Sequence, residues 1–263
     1  MVVLRSRAEI ETIRRACRIV AQVLERLRAL VEPGVTTGEL DRRAEEWARS
    51  MGAEPAFKGY AVGGRVYPAS LCVSINEEVV HGMPSADRML REGDIVGLDF
   101  GVVYEGYYGD GAVTVPVGGV RPDAERLMRV TREALEKGIE RMEVGKRIRD
   151  VSAAIQEHAE SHGYSVVREF VGHGVGRSMH EEPQVPNYVD PKCNQRLRPG
   201  MTLAIEPMVN AGGPDTRVLD DGWTVVTADG QWSAHFEHTV LVTEGEPEIL
   251  TCPEKTLSIS KAG

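Results

Sequence analysis

The chain has 263 residues, 41% hydrophobic and 27% charged, a balance that excludes a disordered polymer and allows a sizeable buried core. A net charge of −9 argues against a basic nucleic-acid-binding surface. Four scattered cysteines, no basic-then-apolar leader and no apolar run near the ~20 residues of a membrane span make a cytoplasmic protein with no membrane contact the expectation.

Ser6 and Glu9 form a capping-box signature, and Ile10, Ile13, Cys17, Val20, Leu24, Leu27 and Val31 follow at helical spacing until Pro33-Gly34 stops the helix. A second helix begins near Thr36 or Thr37, buries Leu40, Ala44, Trp47 and Met51, and ends at Gly52. From Leu71 the texture changes to short β-branched segments, CVSIN, VVHG, IVGLDFG and AVTVPVG, with Tyr104-Glu105-Gly106-Tyr107 turning a hairpin between the last two. Pro122 opens a third predicted helix over 124–141, and a fourth covers 147–162. SVVREF, TLAIEPMV, WTVVT and HFEHTVLVT then predict more strands, with Asp221-Gly222 and Asp229-Gly230 as hairpin turns.

Strands, two helices and strands joined by short turns predict an α+β domain with antiparallel sheets and helices on one sheet face. No Ser/Gly/Pro-rich linker divides the chain, so one domain over 1–263 is expected. Each half places two acids on neighbouring predicted strands, which hints at an internal duplication.

Those acids carry the chemistry. Asp99 in IVGLDFG, Glu206 in TLAIEPM and Glu237 in HFEHTVLV each interrupt an apolar strand, and basic partners are scarce there. Burying an unpaired carboxylate costs several kcal/mol, so such groups need a proton or a cation. Taken singly, each acid reads as a strand-end or turn carboxylate. Asp99, Asp110, His173, Glu206 and Glu237 together read as a site for two divalent ions, of the Mn, Fe, Co or Zn class rather than calcium.

The longer motifs SINEEVVHGMP, EGDIVGLDFG, YYGDGAVT, VVREFVGHGVGRSMHEEPQVPNY, LRPGMTLAIEPMVNAG and DGWTVVTADGQWSAHFEHTVLVT run through nearly the whole chain. In them the sequence resembles the type I methionine aminopeptidases. The resemblance implies the pita-bread fold, with pseudo-twofold antiparallel sheets and helices packed on the outer face. It implies metal-dependent removal of the initiator methionine from nascent polypeptides, preferably before a small second residue. Asp110 and Glu237 would bridge two metal ions, Asp99 would complete one, and His173 and Glu206 the other. His81 and His180 would act on the scissile bond, with Glu206 as proton relay. Tyr60, Tyr67, Cys72, Met179 and Trp223, beside His81 and His180, would form the methionine pocket; for Cys72 and for Phe57, ordinary core packing is an even alternative.

The chain departs from the common pattern at Met179, at Gly111 and in a longer 61–66 segment, which bears on the pocket outline rather than on the metals. The expected partners are nascent polypeptide N-termini, with transient ribosome contact compatible with that role and a monomer the expected state. The competing readings are a prolidase or aminopeptidase P on the same fold, and a partner-binding relative that has lost catalysis. His158 and His162, four apart in a helix, read as a solvated helix end.

Overall fold

The computed structural model describes residues 2–252; Met1 and residues 253–263 of the expected domain lie outside the described residues. Four helices form where capping and periodicity place them: α1 (Arg7–Leu30), α2 (Thr37–Ser50), α3 (Pro122–Ile139) and α4 (Ile148–Ser161). The Ser6–Glu9 capping box is present, with the Ser6 N–H donating to Glu9 Oε2 at 2.9 Å. Thr36 caps α2, and Pro122 occupies the first turn of α3, where a missing N–H costs nothing. No helix of the described residues is long and apolar enough to cross a membrane.

A mainly antiparallel path of strands runs Glu54–Pro55, Ile95–Tyr104, Tyr107–Pro116, Glu237–Leu241, Thr202–Ile205, Gly172–Gly174, Glu181–Val185, with Cys72–Ile75 and Glu248–Ile249 attached at its sides. Helices cover one face of this sheet. Val96, Leu98, Phe100 and Val102 pack into a core with α1 and α2, while Leu203, Ile205 and Val240 pack into a second core with α3 and α4. Because side chains alternate along a strand, Asp99 and Ala204 point to the opposite face. The two helix pairs and their strands make two comparable halves, joined where Ala112 pairs with Glu237.

Several predicted strands are shorter than their apolar patterns. TLAIEPMV breaks at Glu206-Pro207 into Thr202–Ile205 and Met208–Asn210, which belong to different sheets, because proline has no N–H for the ladder. SVVREF contributes only Ser165–Val166; its charged Arg168 and Glu169 are exposed. HFEHTVLVT likewise divides, with Ser233–His235 pairing to Met208–Asn210 and Glu237–Leu241 joining the large sheet. Asp221-Gly222 lies in the loop of a hairpin, since Thr216–Val218 pairs with Val225–Thr227. Asp229-Gly230 closes none, because the strands on either side of it pair elsewhere.

Gly109 is what lets α1 lie against the sheet. A Cβ there would stand 2.7 Å from the Ala16 carbonyl carbon and the Cys17 nitrogen, both helix backbone. Gly109→Ala should therefore lower the urea midpoint, with a loss of about 1–3 kcal/mol as in other overpacked sites. An unchanged midpoint would mean that α1 does not depend on this contact.

Candidate metal centre

The register of the sheet brings the five candidate groups together. Asp99 pairs with Ala112, Gly101 with Asp110, Ala112 with Glu237 and His173 with Ala204. Residues directly opposite share a face, as do residues two apart on one strand. Asp99, Asp110, Glu237 and His173 thus lie on one face of four strands, and Glu206 follows directly on Ile205, the partner of His238. Ligating atoms of Asp110, His173 and Glu237 all fall within 4.8 Å of one another. His173 Nε2 is 3.3 Å from Glu206 Oε1 and 3.9 Å from Asp110 Oδ2. Asp99 lines the same cavity.

The glycines around His173 make this approach possible. A Cβ on Gly172 would stand 2.4 Å from the Ala204 carbonyl oxygen, and one on Gly174 would stand 2.6 Å from that of Glu182. His173 Nδ1 lies 2.9 Å from the Gly174 carbonyl oxygen, an acceptor, which places the proton on Nδ1 and leaves the Nε2 lone pair facing the carboxylates. Glycine is rare in strands, which is why sequence periodicity passed over Gly172–Gly174.

The electrostatics are those of crowded, desolvated acids. Burial pushes the Asp99 carboxyl up to about 7. Burial, then the Asp99 charge, holds Asp110 well above the usual carboxylate range; burial, then Asp110, does the same to Glu206 and Glu237. Burial pushes His173 down to about 3, so its imidazole is neutral and free to ligate. Among the described residues no arginine or lysine lines the cavity, and Glu237 Oε1 is buried without a hydrogen-bond partner. A carboxylate-rich set with one neutral imidazole and an unpartnered buried oxygen fits divalent cations.

The cavity above these groups measures about 310 Å³. A larger groove of about 470 Å³ lies on the helical side of the sheet, but among its walls only Glu237 comes from the cluster. Every residue expected in the pocket lines the smaller cavity: Tyr60, Tyr67, Cys72, His81, Met179, His180 and Trp223, together with Phe57. Tyr67 meets Trp223 edge to face, with ring centroids 5.2 Å apart. Asp221 fixes the approach to Trp223 by accepting from the N–H groups of Trp223 and Thr224, each at 2.8 Å. The longer 61–66 segment is a hairpin of Ala61–Val62 with Arg65–Val66; Val62 lines the cavity, and Arg65 donates to the Gly222 carbonyl at 3.0 Å.

His180 stands at the mouth, with Nδ1 2.8 Å from the Tyr60 hydroxyl and its ring 4.3 Å from that of His173. His81 adopts φ 58°, a left-handed backbone that a non-glycine residue holds only where its surroundings enforce it. Its ring packs edge to face on Phe170, and burial pushes it down to about 4.

Two neighbours escaped the sequence reading. Phe170 forms part of the cavity wall. His235 is buried, with Nε2 unpartnered and 3.9 Å from Glu206 Oε2. Its place two residues before Glu237 was the available signal, but only the fold shows which way its ring points.

The sequence pattern of metallopeptidase family M24 matches residues 11–244. The chain belongs to this family. Within it the chain groups with the type I methionine aminopeptidases. It is 48% identical to a methionine aminopeptidase of Clostridium acetobutylicum over 97% of this chain and 100% of that one. The structure is similar to that of a methionine aminopeptidase of Thermotoga maritima, with a TM-score of 0.92 and 48% identity over 96% of this chain and 100% of the other. A prolidase of Pyrococcus furiosus shares the fold alone, with a TM-score of 0.76 at 24% identity, covering 96% of this chain and 66% of the prolidase. The α+β architecture is thus the pita-bread fold.

Members of a metallopeptidase family use divalent metals, and here an ion would relieve the repulsion among the buried acids. Returning a divalent ion to chelator-stripped protein should raise Tm by roughly 5–10 °C at ~100-fold excess over Kd. Asp110→Asn should lose most of that increment while its metal-free form melts no lower than metal-free wild type. An equal increment in both proteins would place the ion elsewhere.

Proposed function

We propose that this protein is a two-metal aminopeptidase that hydrolyses the first peptide bond of nascent polypeptides and releases the initiator methionine, preferably before a small second residue. The observation that carries the reading is the placement of five ligating groups at the floor of a small, largely apolar cavity. Four carboxylates and one neutral imidazole balance two divalent cations. In this reading Asp110 and Glu237 would hold both ions, Asp99 would complete one, and His173 and Glu206 would complete the other. Mn, Fe, Co or Zn suits such a donor set.

When bound, such ions supply Lewis-acid chemistry, polarising a carbonyl and making water more acidic. The remaining roles belong to the chain. Asp99 receives the free α-amine of the substrate, which restricts the enzyme to N-termini because an internal peptide bond has no amine to offer. The Tyr60 hydroxyl lies 2.8 Å from His180 Nδ1; with Tyr60 as donor, His180 would keep Nε2–H to donate to the substrate carbonyl as charge develops there. His81 contacts the scissile amide nitrogen. Glu206 carries the proton from water to the leaving amine.

The cavity sits at the small end of the range for ligand pockets, suited to one side chain rather than a long peptide. Its aromatic walls and the Met179 and Cys72 sulfurs favour an unbranched, polarisable thioether. The same reading makes the enzyme a cytosolic monomer acting on nascent chains, with transient ribosome contact compatible with that role, and treats the chain as one catalytic domain.

Release of the first residue from Met-Ala-Ser and Leu-Ala-Ser, on chelator-stripped protein and after Mn, Fe or Co is restored, tests the proposal. Metal-dependent cleavage of the methionine peptide alone is expected. Cleavage of both would overturn the pocket, and bound metal without turnover would favour a partner-binding protein. His180→Ala should lower kcat by about 10²–10³, as loss of one transition-state donor does, with metal content unchanged. A wild-type kcat in that variant would remove His180 from the chemistry.

A further inference from the structure

A second group of metal-ligating side chains lies where α3 packs on α4, away from the cavity. Glu133 comes from α3, His158 from the last turn of α4, and His162 is the residue that caps α4. From sequence the two histidines read as a solvated helix end, because the only glutamate between them, Glu160, faces elsewhere. The fold supplies the missing acid from the neighbouring helix. His158 Nε2 is 3.1 Å from Glu133 Oε2, the two imidazole rings are 4.6 Å apart, and one ligating atom from each of the three residues lies within 4.8 Å of the others.

We propose that Glu133, His158 and His162 form a peripheral site for a late first-row divalent ion, of the Zn, Ni or Cu class, that clips α3 to α4. Four features support it. His162 Nδ1 lies 2.8 Å from the His158 carbonyl oxygen and so donates to it, which fixes the tautomer and leaves Nε2 as a lone pair. Arg129 donates to Glu133 Oε1 at 3.1 Å, orienting the carboxylate so that Oε2 faces His158 Nε2. The histidines stand at the carboxyl end of α4, where the helix dipole favours a cation. The two helices pack closely, since a Cβ on Gly138 of α3 would stand 2.8 Å from Ile155 Cγ1 of α4.

Against the site stands the Arg129 charge, but that side chain is half exposed, and solvent and salt screen it. All three ligands are themselves half-buried. Two imidazoles and one carboxylate with an open fourth position suit zinc and its neighbours, whereas magnesium and calcium prefer oxygen ligands. None of the three residues lines the cavity of about 310 Å³, so an ion here would be additional to those of the catalytic centre.

The test is a count of bound zinc after equilibrium dialysis, by elemental analysis, for full-length wild type, His162→Ala and the near-isosteric Glu133→Gln. Wild type should hold one equivalent more than either variant, and the difference should persist whether or not the protein cleaves methionyl peptides. Both variants should retain wild-type methionine release, and zinc should raise the Tm of wild type more than theirs. Equal zinc counts in all three proteins would overturn the site. If His162→Ala does not fold, Glu133→Gln against wild type decides the question alone.

Discussion

The constraint on which the structure depends is that four carboxylates must share one desolvated face of a sheet. Neighbouring strands lie roughly 4.8 Å apart, so acids placed in register on adjacent strands cannot escape one another. Register sets Asp99, Asp110, Glu237 and His173 on that face, and the break at Pro207 adds Glu206. Such a face is costly without compensating charge. The apolar packing of the opposite face holds it in place: Leu98, Phe100, Leu203 and Val240 anchor the same strands to the helices. Stability built on one side of the sheet maintains electrostatic tension on the other.

The histidines divide the remaining labour by their hydrogen bonds. His173 has its tautomer set by a backbone carbonyl and turns a lone pair toward the acids. His180 is held by Tyr60 at the mouth, with its other nitrogen directed away from that bond. His81 occupies a strained backbone position beside Phe170. His235 lies beneath, next to Glu206. One residue type thus serves separate roles according to which ring nitrogen the fold occupies. The α3–α4 cluster uses the same device, with His162 bonded to the backbone at one nitrogen and open at the other.

Much of this was legible in the residues alone. Capping signals and helical spacing located all four helices, because those signals are local. The acids that interrupt apolar strands pointed to a buried charged site, and the motifs around them to the family. Proline at position 207 and the charges at 168 and 169 ended strands that the apolar pattern would have continued. Gly172–Gly174 carries no β signal, since its role is to let strands approach closely. His235, Phe170 and the Glu133–His158 contact depend on chain segments far apart in sequence, which no local pattern encodes.

The most direct test of the central claim is an anomalous-difference map from cobalt- or manganese-loaded crystals, measured on either side of the metal absorption edge. The account predicts strong peaks enclosed by Asp99, Asp110, His173, Glu206 and Glu237, beneath the cavity lined by Tyr67 and Trp223. Crystals of active, metal-loaded protein with no peak among those five side chains would contradict it.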